Sequence, residues 1–395
     1  MNKLCDKKNC TGCMACYNIC PRKAISIKEF KGFYYPEIDD EKCINCGLCS
    51  KTCPALNKLE KNKPIDDKCF AILNKNIKIR NASSSGGVFY ELAKSIINNN
   101  GVVYGASWDN SLVVNHIRVD NVSDIKLLQG SKYVQSNINN IYNLIKNDLD
   151  DKKKVLFSGV PCQISGLKLF LKKDYSNLYT VEVLCHGSSS PIIFEEHKKF
   201  IEKKYDDKLV GINFRFKTKC KCQNIEYSFK NTRVVIEEPL NDYFYLGFQD
   251  GTLDRDCCYN CNYVGIERCS DITLADFWGL KDNNFKCKDS LSYPSLVFVN
   301  TNKGKELFNG VIDKFEIKER PIQEAIDGNL SLRRALPNNK VKEKFLLMYK
   351  KNGYEQSAKK YLIIKKDFKY YIKKILGKKI SRILIKVMKR WRQLE

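Results

Sequence analysis

Nowhere in its 395 residues does the chain hold an unbroken apolar run of the length, about 18 residues, that a membrane-spanning helix needs. Its first residues, Met1-Asn2-Lys3-Leu4-Cys5-Asp6-Lys7-Lys8, also lack the apolar segment of a signal peptide. These absences argue against a spanning or exported protein, and the expected compartment is a reducing cytoplasm. Acidic residues are scarce beside basic ones, 45 against 69, leaving a formal charge of +24. The excess is concentrated: from Lys359 to Glu395 fourteen Lys and Arg stand against Asp367 and Glu395 alone. No recognisable nucleic-acid-binding module accompanies the charge, so no nucleic-acid partner is expected.

Cysteine is what the sequence has in plenty. Nineteen are present, an odd number, and ten fall at tight, repeating spacings within the first 69 residues, which favours metal over disulfides. One run is Cys10-x-x-Cys13-x-x-Cys16-x-x-x-Cys20-Pro21, and the other is Cys43-x-x-Cys46-x-x-Cys49-x-x-x-Cys53-Pro54. Both follow the bacterial two-cluster ferredoxin spacing, in which three thiolates on one tight loop cap three irons of a cube and the fourth ligand comes from the other repeat. The expected ligand sets are Cys10, Cys13, Cys16 and Cys53 for one 4Fe-4S cluster, and Cys43, Cys46, Cys49 and Cys20 for the other. Zinc also takes four thiolates, but doubled runs each closed by proline are far more specific than a zinc spacing. Cys5 and Cys69 lie outside the pattern and are expected to be spectators.

Between the runs, Ala24 to Ile27 and Phe33 to Tyr35 read as a hairpin turning at Lys31-Gly32, which completes a ferredoxin-type unit over residues 1–58. The polar stretch from Asn57 to Lys68, with Pro64, reads as a linker. From 69 to 345, buried-strand patterns (Val155 to Phe157, Val181 to Leu184, Ile272 to Leu274, Leu296 to Val299) alternate with helical ones (Phe89 to Ile97, Ile164 to Leu171, Phe194 to Lys203). Val102 to Tyr104 and Leu112 to Val114 suggest a hairpin about Asp109-Asn110-Ser111. The expectation is a mixed α/β core large enough for a cofactor. Residues 358–395 carry Ile372, Leu376, Ile380, Ile383, Val387, Trp391 and Leu394 at helical intervals, with basic residues on the other faces. Such a basic amphipathic tail suits either an anionic membrane surface at the inner face of the membrane or a helix packed on the core.

Four further segments carry a resemblance: Ser83-Ser84-Ser85-Gly86-Gly87-Val88-Phe89; Gln129-Gly130-Ser131-Lys132-Tyr133-Val134; Gly159-Val160-Pro161-Cys162 through Lys168; and Cys258-Tyr259-Asn260-Cys261 followed by Ser270 through Gly279. Together they resemble the family of coenzyme F-420 hydrogenase/dehydrogenase beta subunits over roughly residues 69 to 330, a family in which a ferredoxin extension is common. The resemblance implies an FAD and one further 4Fe-4S cluster in the core. The fold class expected is therefore an α+β ferredoxin-type two-cluster domain, a mixed α/β flavin-binding core, and a basic C-terminal helical tail.

The residues bear on these expectations independently. Ser84, Ser85, Gly86 and Gly87 precede a helix N-terminus, where hydroxyls and amides converge on an anion such as a dinucleotide pyrophosphate. Gln129, Ser131 and Lys132 are either further cofactor contacts or a surface turn. Cys162, Cys185, Cys258 and Cys261 are the candidates for the third cluster, with zinc or free thiols as alternatives and with Cys257 and Cys269 close by in sequence. Neighbours on a strand point to opposite faces, so Cys185 and His186 make no catalytic dyad. His186 is a proton-donor candidate near the flavin or a structural loop histidine. Of Asp271 and Asp276, one contacts the cofactor or caps a loop. The function expected is transfer of electrons from a low-potential donor, ferredoxin by preference, through the clusters to FAD and on to an unknown substrate, with a role in surface-polysaccharide biosynthesis and a lipid-linked substrate among the possibilities. The alternative is a ferredoxin-like relay subunit with no substrate of its own.

Overall fold

The computed structural model describes residues 4–218, 221–286 and 293–363. Near its start, β1 (Ile25–Phe30) and β2 (Phe33–Ile38) pair antiparallel from Ile25 opposite Ile38 to Phe30 opposite Phe33. The turn is Lys31-Gly32, with φ of +51° and +84°, two successive left-handed residues as a tight hairpin requires. The sequence repeat is also a backbone repeat. Gly12 and Met14 in the first cysteine run, and Asn45 and Gly47 at the same places in the second, have φ of +70°, +62°, +55° and +73°. These left-handed residues curl each run before its short helix, Ala15–Ile19 or Leu48–Lys51.

The core sheet is built from β3 (Lys68–Asn74), β4 (Val102–Trp108), β5 (Val114–Val119), β6 (Val155–Gly159) and β7 (Leu178–Val183). An excursion of three strands follows, β8 (Leu209–Thr218), β9 (Lys221–Phe229) and β10 (Val234–Glu237), before β11 (Ile272–Asp276), β12 (Ser295–Val299) and β13 (Phe315–Pro321) complete it. Its order is β13-β3-β12-β11-β7-β6-β4-β5, and the excursion forms its own sheet, β10-β9-β8. The middle strands β4, β6, β7 and β11 run parallel, and antiparallel pairs flank them. The principal helices are α1 (Val88–Asn98), α2 (Ile141–Asp150), α3 (Pro161–Leu171), α4 (Pro191–Tyr205), α5 (Tyr243–Gln249), α6 (Asn302–Asn309) and α7 (Val341–Tyr361).

Helices on both faces explain why β6 and β12 read as unbroken apolar runs rather than alternating ones. On one face Leu92 and Ile96 of α1 and Leu307 of α6 pack with Leu156 and Val297. On the other, Tyr142 and Ile145 of α2 and Ile164 and Leu167 of α3 pack with Phe157. Met14 and Ala15 join this second cluster, so the ferredoxin unit shares the core's packing. The expected strands and helices occur with small shifts at their ends. Leu112 is not in a strand: it holds φ +57° in the turn, and β5 begins at Val114.

The expected domain edges are also bridged. Asn62 and Arg268 exchange backbone hydrogen bonds of 2.8 Å, tying the linker to the core. Helix α7, interrupted at Gly353 (φ +76°), runs through both position 345 and position 358. Its Phe345, Tyr354 and Ala358 are buried with Phe214 and Phe244 beneath the excursion sheet. A buried polar network locks it there: His197 bonds the hydroxyls of Tyr354 (2.8 Å) and Tyr227 (3.0 Å) and stands 3.1 Å from Asp242. The expected amphipathic residues Ile372 to Leu394 lie outside the described residues. No helix among the described residues is long and apolar enough to cross a membrane.

Two features of the core make measurable predictions. Gly86 donates its N–H to Ser295 Oγ and accepts from Asn74 N, and a Cβ there would stand 2.0 Å from the Ile72 carbonyl oxygen. Gly86→Ala should therefore cost about 1–3 kcal/mol or more, as overpacking does, and lower the melting temperature by several degrees. Gly130→Ala, where a Cβ meets nothing within 4 Å, should cost only about 1 kcal/mol for its left-handed φ of +81°. His116 accepts from Ser136 Oγ, donates to the Ser158 carbonyl, and is pushed by burial from 6.5 down to about 4. Between those values the unfolded chain binds a proton that the folded chain refuses, so stability falls as pH falls through this window. In melts at pH 4 to 6.5, His116→Gln should show a shallower acid loss than the unaltered chain; equal slopes would remove this assignment.

Candidate functional site

The structure brings the members of each expected cysteine set together. The thiols of Cys13 and Cys16 lie within electrostatic reach of Cys10 and Cys53, which places Cys53 of the second repeat beside the first run. Cys20, Cys43, Cys46 and Cys49 together line a separate small hollow. The first set is inward, with Cys10, Cys13 and Cys53 buried, whereas Cys46 of the second is exposed beside an Ile44 that is 59% accessible. Cys5 stands beside Cys10 and Cys53 and pulls those two thiols down to about 6 and about 7. Cys69 is buried in the core and donates to the Arg320 carbonyl, far from either set in the fold.

The core closes around the inner set. Gly166 on α3 leaves room for Cys13, whose Sγ is 2.9 Å from where a side chain at Gly166 would begin. Arg255, itself 1% exposed, donates from Nε to the Cys10 carbonyl (2.6 Å) and from Nη2 to the Tyr34 carbonyl (2.9 Å), and its guanidinium stacks 4.0 Å from the Tyr35 ring. Gln135 accepts from Arg255 Nη1 (2.9 Å) and donates to the Thr11 carbonyl (3.0 Å).

One helical turn before Gly166 stands Cys162, and it brings the third cysteine group into view. Cys162, Cys185, Cys258 and Cys261 line one cavity of about 250 Å³, together with Cys257. Cys162 follows β6 and Cys185 follows β7, neighbouring parallel strands whose ends open on the same side. Burial, then mutual repulsion, holds the Cys162 and Cys185 thiols well above their ordinary range. Cys258 is raised first by its hydrogen bond with Cys257 and then by burial. Four half-buried thiols facing one space are the donor set an iron–sulfur cluster takes, and binding iron would displace the protons they otherwise retain. Among the described residues no three such side chains close to the spacing of a single metal ion. Cys269 stands apart, donating to the Pro161 carbonyl within the core.

A second cavity, about 610 Å³, lies over the carboxyl ends of β6, β7 and β11, where open α/β sheets bind ligands. Ser83 to Ser85 and Gly87 line it ahead of α1, as do Gln129 to Val134. The two loops are fastened to each other by Gln129 Nε2 to Ser83 Oγ (3.0 Å) and by Ser84 Oγ to Ser131 Oγ (2.9 Å). Ser85 Oγ donates to the Tyr293 carbonyl. Gly86 is turned into the sheet and does not line the cavity, so its small size serves packing and not ligand approach. Lys132 donates to the carbonyls of Leu127 and Gln129, and burial lowers it to about 7. In size and in its mixture of apolar walls and polar groups, the space suits an organic cofactor.

Other expected residues find definite places. β7 ends at Val183, so Cys185 and His186 lie in a loop and both border both cavities. They do not pair: Cys185 donates to the Gly187 carbonyl, and His186 Nδ1 is buried without a partner. Burial lowers the His186 pKa, leaving the ring neutral at pH 7. Asp271 is structural, accepting from Thr180 and Thr301. Asp276 reaches the large cavity and pairs with Arg215 at 2.6 Å. Arg215, Gln135 and Arg255 belong to no motif of the sequence. Arg215 has its Nε buried and unpartnered at the cavity and its Nη2 on the Ser84 carbonyl. Their only sequence signals are a cation between Phe214 and Phe216, and a glutamine one residue past the segment that ends at Val134.

Residues 9–57 match the 4Fe-4S dicluster domain, and residues 152–325 match the C terminus of the coenzyme F420 hydrogenase/dehydrogenase beta subunit. An F(420)H(2) dehydrogenase subunit of Methanosarcina mazei is 20% identical over 329 residues, 79% of this chain and 85% of that protein. An uncharacterised ferredoxin of Methanocaldococcus jannaschii is 39% identical over 77 residues, 18% of this chain and 91% of its own. A chain of the F420-reducing nickel-iron hydrogenase complex of Methanosarcina barkeri aligns with a TM-score of 0.45 at 17% identity, covering 76% of this chain and 91% of that one. With a dicluster domain in front of it, the chain carries the C-terminal domain of the coenzyme F420 hydrogenase/dehydrogenase beta subunits and is an iron–sulfur electron-transfer protein related to that oxidoreductase group.

Proposed function

We propose that the chain is an iron–sulfur flavoprotein oxidoreductase that takes single electrons from a low-potential donor, a ferredoxin being the natural fit, and delivers them to a substrate at the large cavity. The observation that carries this reading is the shared wall: Cys185 and His186 border both the cysteine-lined cavity and the cavity under the Ser/Gly loop. Cys162, Cys185, Cys258 and Cys261 would hold a third 4Fe-4S cluster. Ser84, Ser85, Gly87, Gln129, Ser131 and Lys132, with Arg215, would hold an FAD, which supplies exchange between one-electron and two-electron chemistry.

The chain's own residues arrange the rest. Exposed Cys46 of the outer set gives a donor access, the inner set has Cys10, Cys13 and Cys53 buried, and α3 connects the inner set at Gly166 to the third at Cys162. Neutral His186, at the wall between the cavities, suits a proton-handling group. The family resemblance leaves the substrate open between chlorophyll-type molecules and sugar- or lipid-linked intermediates of surface-polysaccharide biosynthesis. The relative from Methanosarcina mazei is one subunit of a dehydrogenase, which supports docking to a redox partner.

Full-length protein reconstituted anaerobically should contain about twelve irons and one FAD per chain. Cys258→Ser, whose thiol faces only the smaller cavity, should lose about four irons while keeping the other eight and the yellow flavin absorbance. Reduced ferredoxin should bleach that absorbance. About eight irons with no flavin, unchanged by Cys258→Ser, would overturn the reading and leave a relay subunit in its place.

A further inference from the structure

We propose that Arg255 raises the reduction potential of the cluster held by Cys10, Cys13, Cys16 and Cys53, as a positioning residue that the reductase core supplies to the ferredoxin unit. The inference rests on the inner cysteine set and is independent of the flavin.

A guanidinium at 1% exposure has lost its water, and a buried charge is costly unless another charge answers it. The hydrogen-bond partners of Arg255 are the carbonyls of Cys10 and Tyr34 and the side-chain amide of Gln135, all neutral. No carboxylate is among them. The remaining partner is the sulfur of Cys10, 3.6 Å from Nη2. That sulfur is the one hydrogen-bond partner able to carry negative charge, as a thiolate or as a ligand of a net-negative cluster. The buried cation is thus answered by the ligand sulfur, and a cluster held there would bring it more negative charge.

The consequence for redox follows from charge balance. Reduction adds one electron to the cluster and no proton, so its negative charge grows by one. Hydrogen bonds to cluster sulfurs and local charge set the potential of such centres, and a fixed cation on a ligand sulfur favours the reduced form. The outer set differs, because its Cys46 is exposed to solvent. Arg255 also lies three residues before Cys258 and borders the smaller cavity, so one segment both touches the inner set and leads into the third. Electrons entering at the surface would be drawn toward the core only in a chain whose two units are docked.

The test is a potentiometric titration of the anaerobically reconstituted full chain, followed by electron paramagnetic resonance, with the inner cluster identified as the signal altered in Cys16→Ser. Arg255→Met should shift the inner midpoint downward and leave the outer midpoint in place, and Arg255→Lys should recover most of the shift. Gln135→Glu keeps the arginine but sets a carboxylate against Nη1; it should also lower the inner midpoint, which covers the case in which Arg255→Met fails to load iron. An inner midpoint unmoved in iron-replete Arg255→Met, or unmoved in Gln135→Glu where that variant alone loads, would overturn the proposal.

Discussion

A positive charge taken wholly out of water must be met by fixed dipoles or by an opposing charge, and the seam between the ferredoxin unit and the core is organised around one such charge. Arg255 spans from the core to the carbonyls of Cys10 and Tyr34, with the Tyr35 ring against its face. Its geometry fixes the loop carrying Cys10, and the same loop's neighbours, Met14 and Ala15, pack into the hydrophobic cluster of α2 and α3. Each large apolar side chain buried there contributes about 1.5–3 kcal/mol, which offsets the cost of desolvating the guanidinium. Polar and apolar contacts therefore demand one docking orientation.

That orientation matters because of where the sheet ends. Parallel strands leave their carboxyl ends on one side, and the loops following β6 and β7 must turn there whatever their sequence. Cys162 begins the helix after β6, and Cys185 occupies the loop after β7, so strand pairing alone brings these two thiols to one edge. The segment from Arg255 to Cys261 then supplies Cys258 and Cys261 from the far end of the excursion. Because β8 of that excursion also carries Arg215 to the Ser84 carbonyl, the insertion walls both cavities at once.

How much of this is legible in the sequence varies with the range of the physics involved. Local rules suffice for the cysteine runs, the Lys31-Gly32 turn, and the helix beginning after Gly87. Periodicity finds the buried strands because continuous apolar runs report two covered faces. The third cysteine group can be named from the sequence but its convergence cannot be read there, since it needs residues 162 and 261 at one place. Gly86 misleads for a related reason. A glycine before a helix looks like a ligand loop, and only the Ile72 carbonyl shows that packing requires it. Cys5 breaks the spacing and so looks like a spectator, yet the fold returns it to the inner set. Arg255 leaves no trace and Arg215 only its place between two phenylalanines, because little in a sequence distinguishes a buried arginine from the many solvated ones of a strongly basic chain.

Covalent fusion of the two units gains its effect from this docking. A free ferredoxin must find its partner anew for each electron and lose translational and rotational freedom in doing so, whereas a tethered one meets a high effective concentration. Here the tether is itself held, through Asn62 and Arg268. The contact is spread over separate elements: Asn18 donates to the Asn139 carbonyl at 2.7 Å, Asn143 to Asn18, and Ser190, which caps α4, to the Gly32 carbonyl at 2.6 Å. Bonds distributed in this way resist rocking of one unit on the other, so the spacing of the inner set from Cys162 is fixed by the fold. The outer set stays nearer to solvent, for its Cys46 and the neighbouring Ile44 are both exposed, and the docking therefore orders the two sets by depth.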